Sequence, residues 1–170
     1  MDAKAIDQLL ESQRQYFLSG ATLPVEFRIA MLQRLRETVR RREPDISKAL
    51  TADLGKSGYE GYMCEIGLVL SELGYLIRHT RRFAKRRHVP TPLAQFAASS
   101  YLSPSPYGNV LIMSPWNYPL LLTLAPLADA IAAGNTAIVK PSAYSPATSQ
   151  VIDELLTECF PPEYVTVVTG

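Results

Sequence analysis

Apolar residues recur at intervals of three and four positions through residues 1–88, and this spacing predicts a layer of amphipathic helices. Glycine and proline residues divide the layer into predicted helices over residues 3–18, 24–43, 45–54 and from 57 onward. The last of these begins with Ser57-Gly58-Tyr59-Glu60, a capping-box pattern. Gln13 interrupts the apolar stripe of the first helix.

After this layer the helical spacing of apolar residues stops, and short apolar runs bounded by turn residues predict β-strands. Strands are predicted over residues 98–102, 110–113, 136–139 and 164–168, and helices over 119–133 and 146–160. From residue 110 the order is β-α-β-α-β, and nearly continuous apolar strands are typical of a sheet that is covered on both faces. The predicted fold class is therefore α/β, with a helical amino-terminal layer followed by a parallel sheet.

The composition is that of a globular protein, with 47% hydrophobic and 19% charged residues in a chain of 170. A net charge of +1 indicates no particular class of partner, and the apolar runs are too short to span a membrane. The amino terminus lacks the apolar core of a signal peptide, and two cysteines indicate no disulfide framework. We therefore expect a cytoplasmic protein, and we predict no metal site.

A cluster of basic residues follows the long helix, with no acidic residue between Leu73 and Val89. Its members are Arg78, Arg81, Arg82, Lys85, Arg86 and Arg87. Such a cluster can bind nucleic acid or anionic lipid, but only one aromatic residue, Phe83, is interleaved with it. A solvated helix end, where the helix dipole favours cations, is the simpler explanation, so we predict no nucleic-acid partner.

The run Ser114-Pro115-Trp116-Asn117-Tyr118-Pro119 follows the second predicted strand. Because ligands of open α/β sheets collect at the carboxyl ends of the strands, this run is a candidate site. The Asn117 amide, stiffened by prolines on both sides, is suited to donate a hydrogen bond to a developing oxyanion. The same position also suits a residue that only caps the following helix, and Trp116 alone suits packing as well as ligand contact.

Lys140 ends the buried strand 136–139 and is the only cation between Val89 and Gly170. An ammonium in that position must reach water, an acidic side chain, or an anionic or hydroxyl-rich ligand. The crevice beyond the strand ends favours a ligand, to which Ser142 could add a hydroxyl. A lysine that merely extends into water is the alternative.

Three runs in this order resemble the aldehyde dehydrogenase superfamily: Ser-Pro-Trp-Asn-Tyr-Pro at 114–119, Ala-Ile-Ala-Ala-Gly-Asn at 130–135 and Val-Lys-Pro-Ser at 139–142. Residues 65–70 and 89–93 look more like its class 3 branch, which acts on fatty and aromatic aldehydes. The resemblance implies an oxidoreductase that converts aldehydes to carboxylates with NAD or NADP. It also implies a homodimer for the complete protein.

The resemblance further implies roles for single residues. Asn117 would help to stabilise the thiohemiacetal oxyanion. The nicotinamide side of the cofactor site would be lined by Met113, Ser114, Pro115 and Trp116. Lys140 would bond the adenosine ribose, and the remaining residues assigned to the cofactor site are Ser142, Ala143 and Gly170, the last beside the adenine.

The sequence departs from the family pattern in two respects. Members that prefer NAD often carry a glutamate three residues after the lysine, whereas this chain has Ala143, so we expect tolerance of NADP as well as NAD. The nucleophilic cysteine and the general-base glutamate of the family lie beyond the end of this chain. Cys64 and Cys159 are expected to have buried structural roles, and Glu154 and Glu158 to lie on a solvated helix face.

We therefore predict the amino-terminal part of a class 3-like aldehyde dehydrogenase, inactive as an isolated chain. Its predicted regions are a helical layer over residues 1–97, a strand and turn of the oligomerisation region over 98–108, and the first half of the NAD(P)-binding sheet over 109–170. A CoA-acylating or acyl-phosphate-reducing relative is an alternative with the same fold. A non-catalytic nucleotide- or partner-binding module is an alternative of a different class, and no membrane association is expected from this segment.

Overall fold

The computed structural model describes residues 3–169. The helices are α1 (Ala3–Leu18), α2 (Val25–Arg41), α3 (Glu43–Leu54), α4 (Gly58–Gly61), α5 (Gly67–Phe83), α6 (Leu121–Ala133) and α7 (Pro146–Cys159). The strands are β1 (Arg87–Val89), β2 (Ser100–Leu102), β3 (Asn109–Met113), β4 (Thr136–Lys140) and β5 (Val165–Val167). A π-helical turn, Tyr62–Ile66, joins α4 to α5, and a short 3₁₀ helix covers Leu93–Gln95.

The main sheet is parallel, in the order β3-β4-β5, and α6 and α7 form its two crossovers. The predicted β-α-β-α-β order and the α/β fold class are therefore confirmed. Strand β4 is the central strand, and its first four residues are buried, as the continuous apolar run predicts. Its register pairs Met113 with Lys140, so β3 and β4 end side by side at the carboxyl edge of the sheet.

Helix α1 packs against β3 and β4 near the opposite, amino edge of the sheet. The Gln13 side chain is fully buried there, and its Nε2 donates to the carbonyl oxygens of Ala137 at 3.0 Å and Pro162 at 3.2 Å. The residue that interrupts the apolar stripe therefore joins the first helix to two strand starts. A buried amide is tolerated because its hydrogen bonds are made within the protein.

A second helical layer, made of α2, α3 and α5, packs on α6 and α7. The fully buried side chains at this junction include Leu32, Leu35, Leu73, Leu124, Leu127, Ile152 and Leu155. Glu154 and Glu158 of α7 lie on its exposed face as predicted, where they form ion pairs with Arg42 and Arg41. The Arg42 hydrogen bond lowers the pKa of the Glu154 carboxyl.

The carboxyl end of α6 is held by a buried arginine. Arg28 donates to the carbonyl oxygens of Thr22 at 3.0 Å, Leu23 at 2.6 Å and Ala132 at 3.3 Å. Gly134 follows α6 with φ +93°, and a Cβ there would lie 2.8 Å from the Arg28 guanidinium carbon. The end of α6 that faces away from the strand tips is thus fixed by Arg28 and a glycine in the left-handed region.

The prediction that the basic cluster is only a solvated helix end is wrong for part of its length. Arg81 and Arg82 lie in the last turn of α5, as the helix dipole favours. Arg87, however, begins β1, which pairs antiparallel with β2 and places Arg87 opposite Leu102. A strand of three residues is too short to produce a period in the sequence, and its pairing partners in β2 lie 11 to 15 positions away.

The buried Tyr164 hydroxyl has no hydrogen-bond partner among the described residues, although its ring is packed by Tyr16, Phe27 and Phe160. Burial raises the pKa of the Tyr164 phenol, so the group is neutral. We expect Tyr164→Phe to raise the free energy of unfolding by about 1 kcal/mol, because an unpaired buried hydroxyl is removed. Urea denaturation measures this effect. Tyr16→Phe, at a partly exposed ring, should change stability by less than about 0.5 kcal/mol, and a loss of stability in Tyr164→Phe would contradict the assignment.

No helix within residues 3–169 is both long enough and apolar enough to cross a membrane.

Candidate functional site

The predicted site residues lie on two loops at the carboxyl edge of the parallel sheet. The first loop follows β3 and carries Ser114, Pro115, Trp116 and Asn117; the second follows β4 and carries Ser142 and Ala143. The backbone N–H of Ser114 donates to the Lys140 carbonyl oxygen at 3.2 Å, so the two loops leave the sheet together. Gly170, predicted beside the adenine, lies outside the described residues.

The Asn117 side chain is exposed and makes no hydrogen bond to any other residue in the range 3–169. It does not cap α6, because the first N–H groups of that helix are bound by Glu65 instead. Glu65 Oε2 accepts from Leu120 N at 2.8 Å and from Leu121 N at 3.2 Å. The alternative reading of Asn117 as a helix cap is therefore wrong, and its amide is available to a ligand.

The backbone of this loop is anchored by a buried ion pair from the helical layer. Lys56 Nζ lies 2.5 Å from Glu65 Oε1, and the two residues are 8% and 0% exposed. Lys56 Nζ also donates to the Asn117 carbonyl oxygen at 3.0 Å and lies 4.2 Å from the centroid of the Tyr118 ring. The Asn117 main chain is thus fixed while its side chain is left free.

A chain of hydroxyls fixes the start of the same loop. Thr123 Oγ1 donates to the Pro119 carbonyl oxygen at 2.6 Å, and Ser114 Oγ lies 2.6 Å from Thr123 Oγ1. Because the single Thr123 proton is already donated, Ser114 must donate to Thr123 and can only accept from a ligand. Met113 and Trp116, at 67% and 53% exposed, place apolar surface beside this acceptor.

Lys140 is half-buried at the tip of β4, and its ammonium group makes no ion pair or hydrogen bond within the described part of the chain. An open cleft of about 300 Å³ lies beyond the second loop. Its lining comprises Pro141, Ser142, Ala143, Pro146, Ser149, Gln150, Asp153 and Thr169. Lys140 itself is not part of this lining but precedes Pro141, which is. The hydroxyl, amide and carboxylate groups of the cleft fit a hydroxyl-rich ligand such as a ribose.

The amino terminus of α7 is also bound by an internal carboxylate. Asp53, at the end of α3, accepts from Ala147 N at 3.1 Å and from Thr148 N at 2.7 Å. Helix amino termini at this edge of a sheet are ordinarily sites for phosphate groups. Glu65 and Asp53 occupy the amino termini of α6 and α7, the helices that follow β3 and β4. We therefore expect a dinucleotide to direct its sugars and bases, rather than its pyrophosphate, at these loops.

Neither cysteine lies on the two loops at the carboxyl edge of the sheet. Cys159 is buried on α7, as predicted, and burial raises the pKa of its thiol, which keeps it protonated. The prediction of a buried role is wrong for Cys64, because that residue lies on the π-helical turn and is only half-buried. Within residues 3–169 no cluster of three or more His, Cys, Asp or Glu side chains is arranged to hold a metal ion.

Sequence reasoning missed four residues that build the site: Lys56, Glu65, Thr123 and Asp53. A signal for Glu65 was present, because it shares an i, i+4, i+8 stripe with Val69 and Leu73, both fully buried. A carboxylate on an apolar stripe is expected to have a buried partner. No comparable signal marks Asp53, which lies near the end of its helix, where acidic residues are common on the surface.

The sequence is similar to those of known proteins along its whole length. The model of the aldehyde dehydrogenase family matches residues 1–170. The chain is 39% identical over 165 residues to 4,4'-diaponeurosporen-aldehyde dehydrogenase of Staphylococcus aureus, covering 97% of this chain and 36% of that protein. It is also 39% identical over 165 residues to aldehyde dehydrogenase family 3 member A2 of Rattus norvegicus, covering 97% of this chain and 34% of that protein.

Solved structures give the same relationship. The substrate-bound state of Staphylococcus aureus AldH superposes with a TM-score of 0.96 at 39% identity, over 100% of this chain and 37% of that one. A succinic semialdehyde dehydrogenase from Streptococcus pyogenes in complex with NADP+ has the same fold, with a TM-score of 0.86 at 21% identity over 99% of this chain and 36% of that one. The chain thus spans about a third of the length of its relatives. This chain belongs to the aldehyde dehydrogenase family.

Proposed function

We propose that this chain supplies the oxyanion donor and part of the dinucleotide site of an NAD(P)-dependent aldehyde dehydrogenase of the class 3 type, as its amino-terminal third. In that enzyme an aldehyde, water and NAD(P)+ would give a carboxylate, NAD(P)H and two protons. The nucleophile and the general base would come from residues outside this chain. By itself the 170-residue chain is expected to be inactive towards aldehydes.

The observation that carries the proposal is the free amide of Asn117. Its backbone is anchored by Lys56, whereas its side chain is exposed and unbonded among residues 3–169. An amide held in this way can donate to an oxyanion without reorganising, which is the property that oxyanion donors need. Asn117 therefore stabilises the negative oxygen that forms when a nucleophile attacks the aldehyde carbon.

The residues of the second loop fit a dinucleotide. When bound, NAD(P)+ would supply the hydride acceptor for the oxidation. Lys140 would donate to ribose hydroxyls, and Ser142, which lines the cleft, would add a hydroxyl. Ser114 would accept from a nicotinamide-side donor, while Met113 and Trp116 would pack against that part of the cofactor.

Ala143 is exposed in the lining of this cleft and carries no charge. Nothing at that position repels a 2′-phosphate, and Lys140 attracts it, so the complete enzyme should bind NADP within about tenfold of NAD, a difference of less than roughly 1.4 kcal/mol. NADP that binds more weakly than this limit would refute the proposed tolerance.

Ala143→Glu is expected to weaken NADP binding relative to NAD by about tenfold or more, because a carboxylate beside the 2′-phosphate is repelled by it. Ala143→Gln has nearly the same volume without the charge and serves as the matched control. Isothermal titration with each dinucleotide measures the ratio of the NADP and NAD dissociation constants. Equal effects of the two substitutions on the ratio would contradict an electrostatic selection at this position.

The function is tested by following NAD(P)H absorbance while the complete enzyme is supplied with aliphatic and aromatic aldehydes. Formation of a carboxylate and of reduced cofactor in equal amounts supports the proposal. A product that forms only with added CoA or phosphate would identify an acylating relative instead. Absence of any aldehyde-dependent reduction would overturn the proposal, and turnover by the 170-residue chain alone would overturn the expectation that it is inactive.

We further propose that the complete enzyme is a cytoplasmic homodimer. The sheet formed by β1 and β2 supports this assembly, since the nearby Leu93 and Phe96 are 91% and 88% exposed and offer apolar surface to a second subunit. Light scattering of the complete enzyme measures its mass. A monomer at micromolar concentration would contradict the dimer.

A further inference from the structure

The side chains of the buried pair Lys56 and Glu65 make three hydrogen bonds to one short run of backbone. Glu65 joins the pair through Oε1 and uses Oε2 for the N–H groups of Leu120 and Leu121. Lys56 joins it through Nζ and uses the same atom for the Asn117 carbonyl oxygen. Among residues 3–169, every hydrogen bond that the two side chains make outside the pair thus ends on the backbone of residues 117–121.

Stability alone is a weak explanation for this arrangement. Removing two charges from water is costly, and well-packed apolar residues often stabilise a fold as much as a buried ion pair does. What an apolar pair cannot do is bind backbone donors and acceptors at fixed points. The two charges bind the loop on both sides of Pro119, with a carbonyl held at Asn117 and amides held at Leu120 and Leu121.

The Glu65 carboxylate projects from an irregular turn of helix rather than from regular α-helix. Glu65 lies in the π-helical turn Tyr62–Ile66. Gly67 follows this turn, and a Cβ at Gly67 would lie only 3.0 Å from the Tyr62 carbonyl oxygen. π-helical turns are less stable than α-helix and occur often at functional sites. Within this turn Glu65 and Ile66, which are neighbours in sequence, are both fully buried.

We propose that Lys56 and Glu65 are positioning residues, which hold the Asn117 backbone so that the side-chain amide meets the developing oxyanion. This inference rests on the proposed function of Asn117. Lys56 fixes the carbonyl of Asn117 itself, and Glu65 fixes both Lys56 and the start of α6. Displacement of the amide by about 1 Å is enough to lower a rate by about 10²-fold, so loss of either anchor should affect turnover more than aldehyde binding.

Three variants of the complete enzyme separate positioning from folding. Lys56→Met leaves Glu65 unpaired and removes the anchor of Asn117. The double variant Lys56→Met/Glu65→Gln removes both charges but keeps an amide oxygen that can accept from Leu120 and Leu121. Arg28→Met is the matched control, because it removes a buried cation that binds backbone carbonyls near the far end of α6.

We expect Lys56→Met to lower kcat by about 10²-fold, with KM for the aldehyde changed less than about threefold. The double variant should regain thermal stability and yet keep the low kcat, because the Asn117 carbonyl still lacks its donor. Arg28→Met should lose stability without losing kcat. If the double variant regains kcat together with stability, the pair is only structural and the inference is wrong.

The 170-residue chain provides an independent measurement, because Trp116 is its only tryptophan and precedes Asn117. Fluorescence anisotropy of Trp116 should fall in Lys56→Met and in the double variant, and stay unchanged in Arg28→Met. Unchanged anisotropy in all three would overturn the inference. A wild-type complete enzyme without aldehyde oxidation would overturn the proposed function instead, and the anisotropy would still decide whether the pair holds the loop.

Discussion

Replacing Asn117 with alanine in the complete enzyme is expected to lower kcat by about 10²–10³-fold, equivalent to roughly 3–4 kcal/mol of transition-state stabilisation. The side chain is exposed and unbonded among residues 3–169, so its loss should leave the fold unchanged. An oxyanion donor acts only when the negative charge develops, which means that KM for the aldehyde should change little. Steady-state kinetics with a fixed, saturating dinucleotide measure both constants.

The matched control is Asn109→Ala, the same chemical change at the other end of β3. The Asn109 amide is 3.5 Å from Gln13 Oε1, at the amino edge of the sheet and away from both loops. This variant should keep the wild-type kcat. If Asn117→Ala raised KM and left kcat unchanged, the amide would be a ground-state binding group, and the oxyanion assignment would be wrong.

The parts of the fold that the sequence predicted are those with a strong local period. Strand 136–139 is an uninterrupted apolar run, and in the structure it is the central strand β4 with only one residue added. The helix predicted over 119–133 begins at Leu121, where Glu65 binds the N–H groups of Leu120 and Leu121. Boundaries shift where a distant residue, rather than the local pattern, sets the end of an element.

The parts that the sequence did not predict depend on contacts between distant residues. Gln13 looks like a defect in an apolar stripe, but it binds carbonyl oxygens 124 and 149 positions away. Asp53 and Glu65 likewise lie in the helical layer, but their carboxylates bind backbone N–H groups at the starts of α7 and α6, next to the sheet edge. No periodicity carries that information, because it is created only when the helical layer packs on α6 and α7.

For the candidate site, the sequence predicted the positions of the main residues but not the contacts that hold them. The positions of Asn117 and Lys140 followed from the strand pattern, which sets where the loops leave the sheet. The family resemblance added their chemical roles. What only the structure provides is the reason that Asn117 is free: the Glu65 carboxylate caps the helix that the Asn117 amide was suited to cap. The counterion of this carboxylate, Lys56, also binds the Asn117 carbonyl oxygen.

Lys56→Met is expected to lower the free energy of unfolding by roughly 3–5 kcal/mol, because it leaves the Glu65 carboxylate buried without its counterion. Glu65 is fully buried, so water cannot replace the lost ammonium group. Adding Glu65→Gln should recover most of this loss, since the neutral amide oxygen still accepts from the start of α6. Urea denaturation of the 170-residue chain, with far-UV circular dichroism as the signal, measures each variant.

An exposed ion pair serves as the control for the effect of burial. The Arg41 and Glu158 side chains are 58% and 47% exposed, and Arg41→Met should cost less than about 1 kcal/mol because water solvates the remaining carboxylate. A similarly small loss in Lys56→Met would mean that the Glu65 side chain tolerates the loss of its counterion at little cost. In that case the pair could not hold the Asn117 loop rigidly, and both the stability prediction and the positioning role would be wrong. A large loss that the second substitution recovers would identify the buried charge, rather than the lost packing of the lysine stem, as the cause.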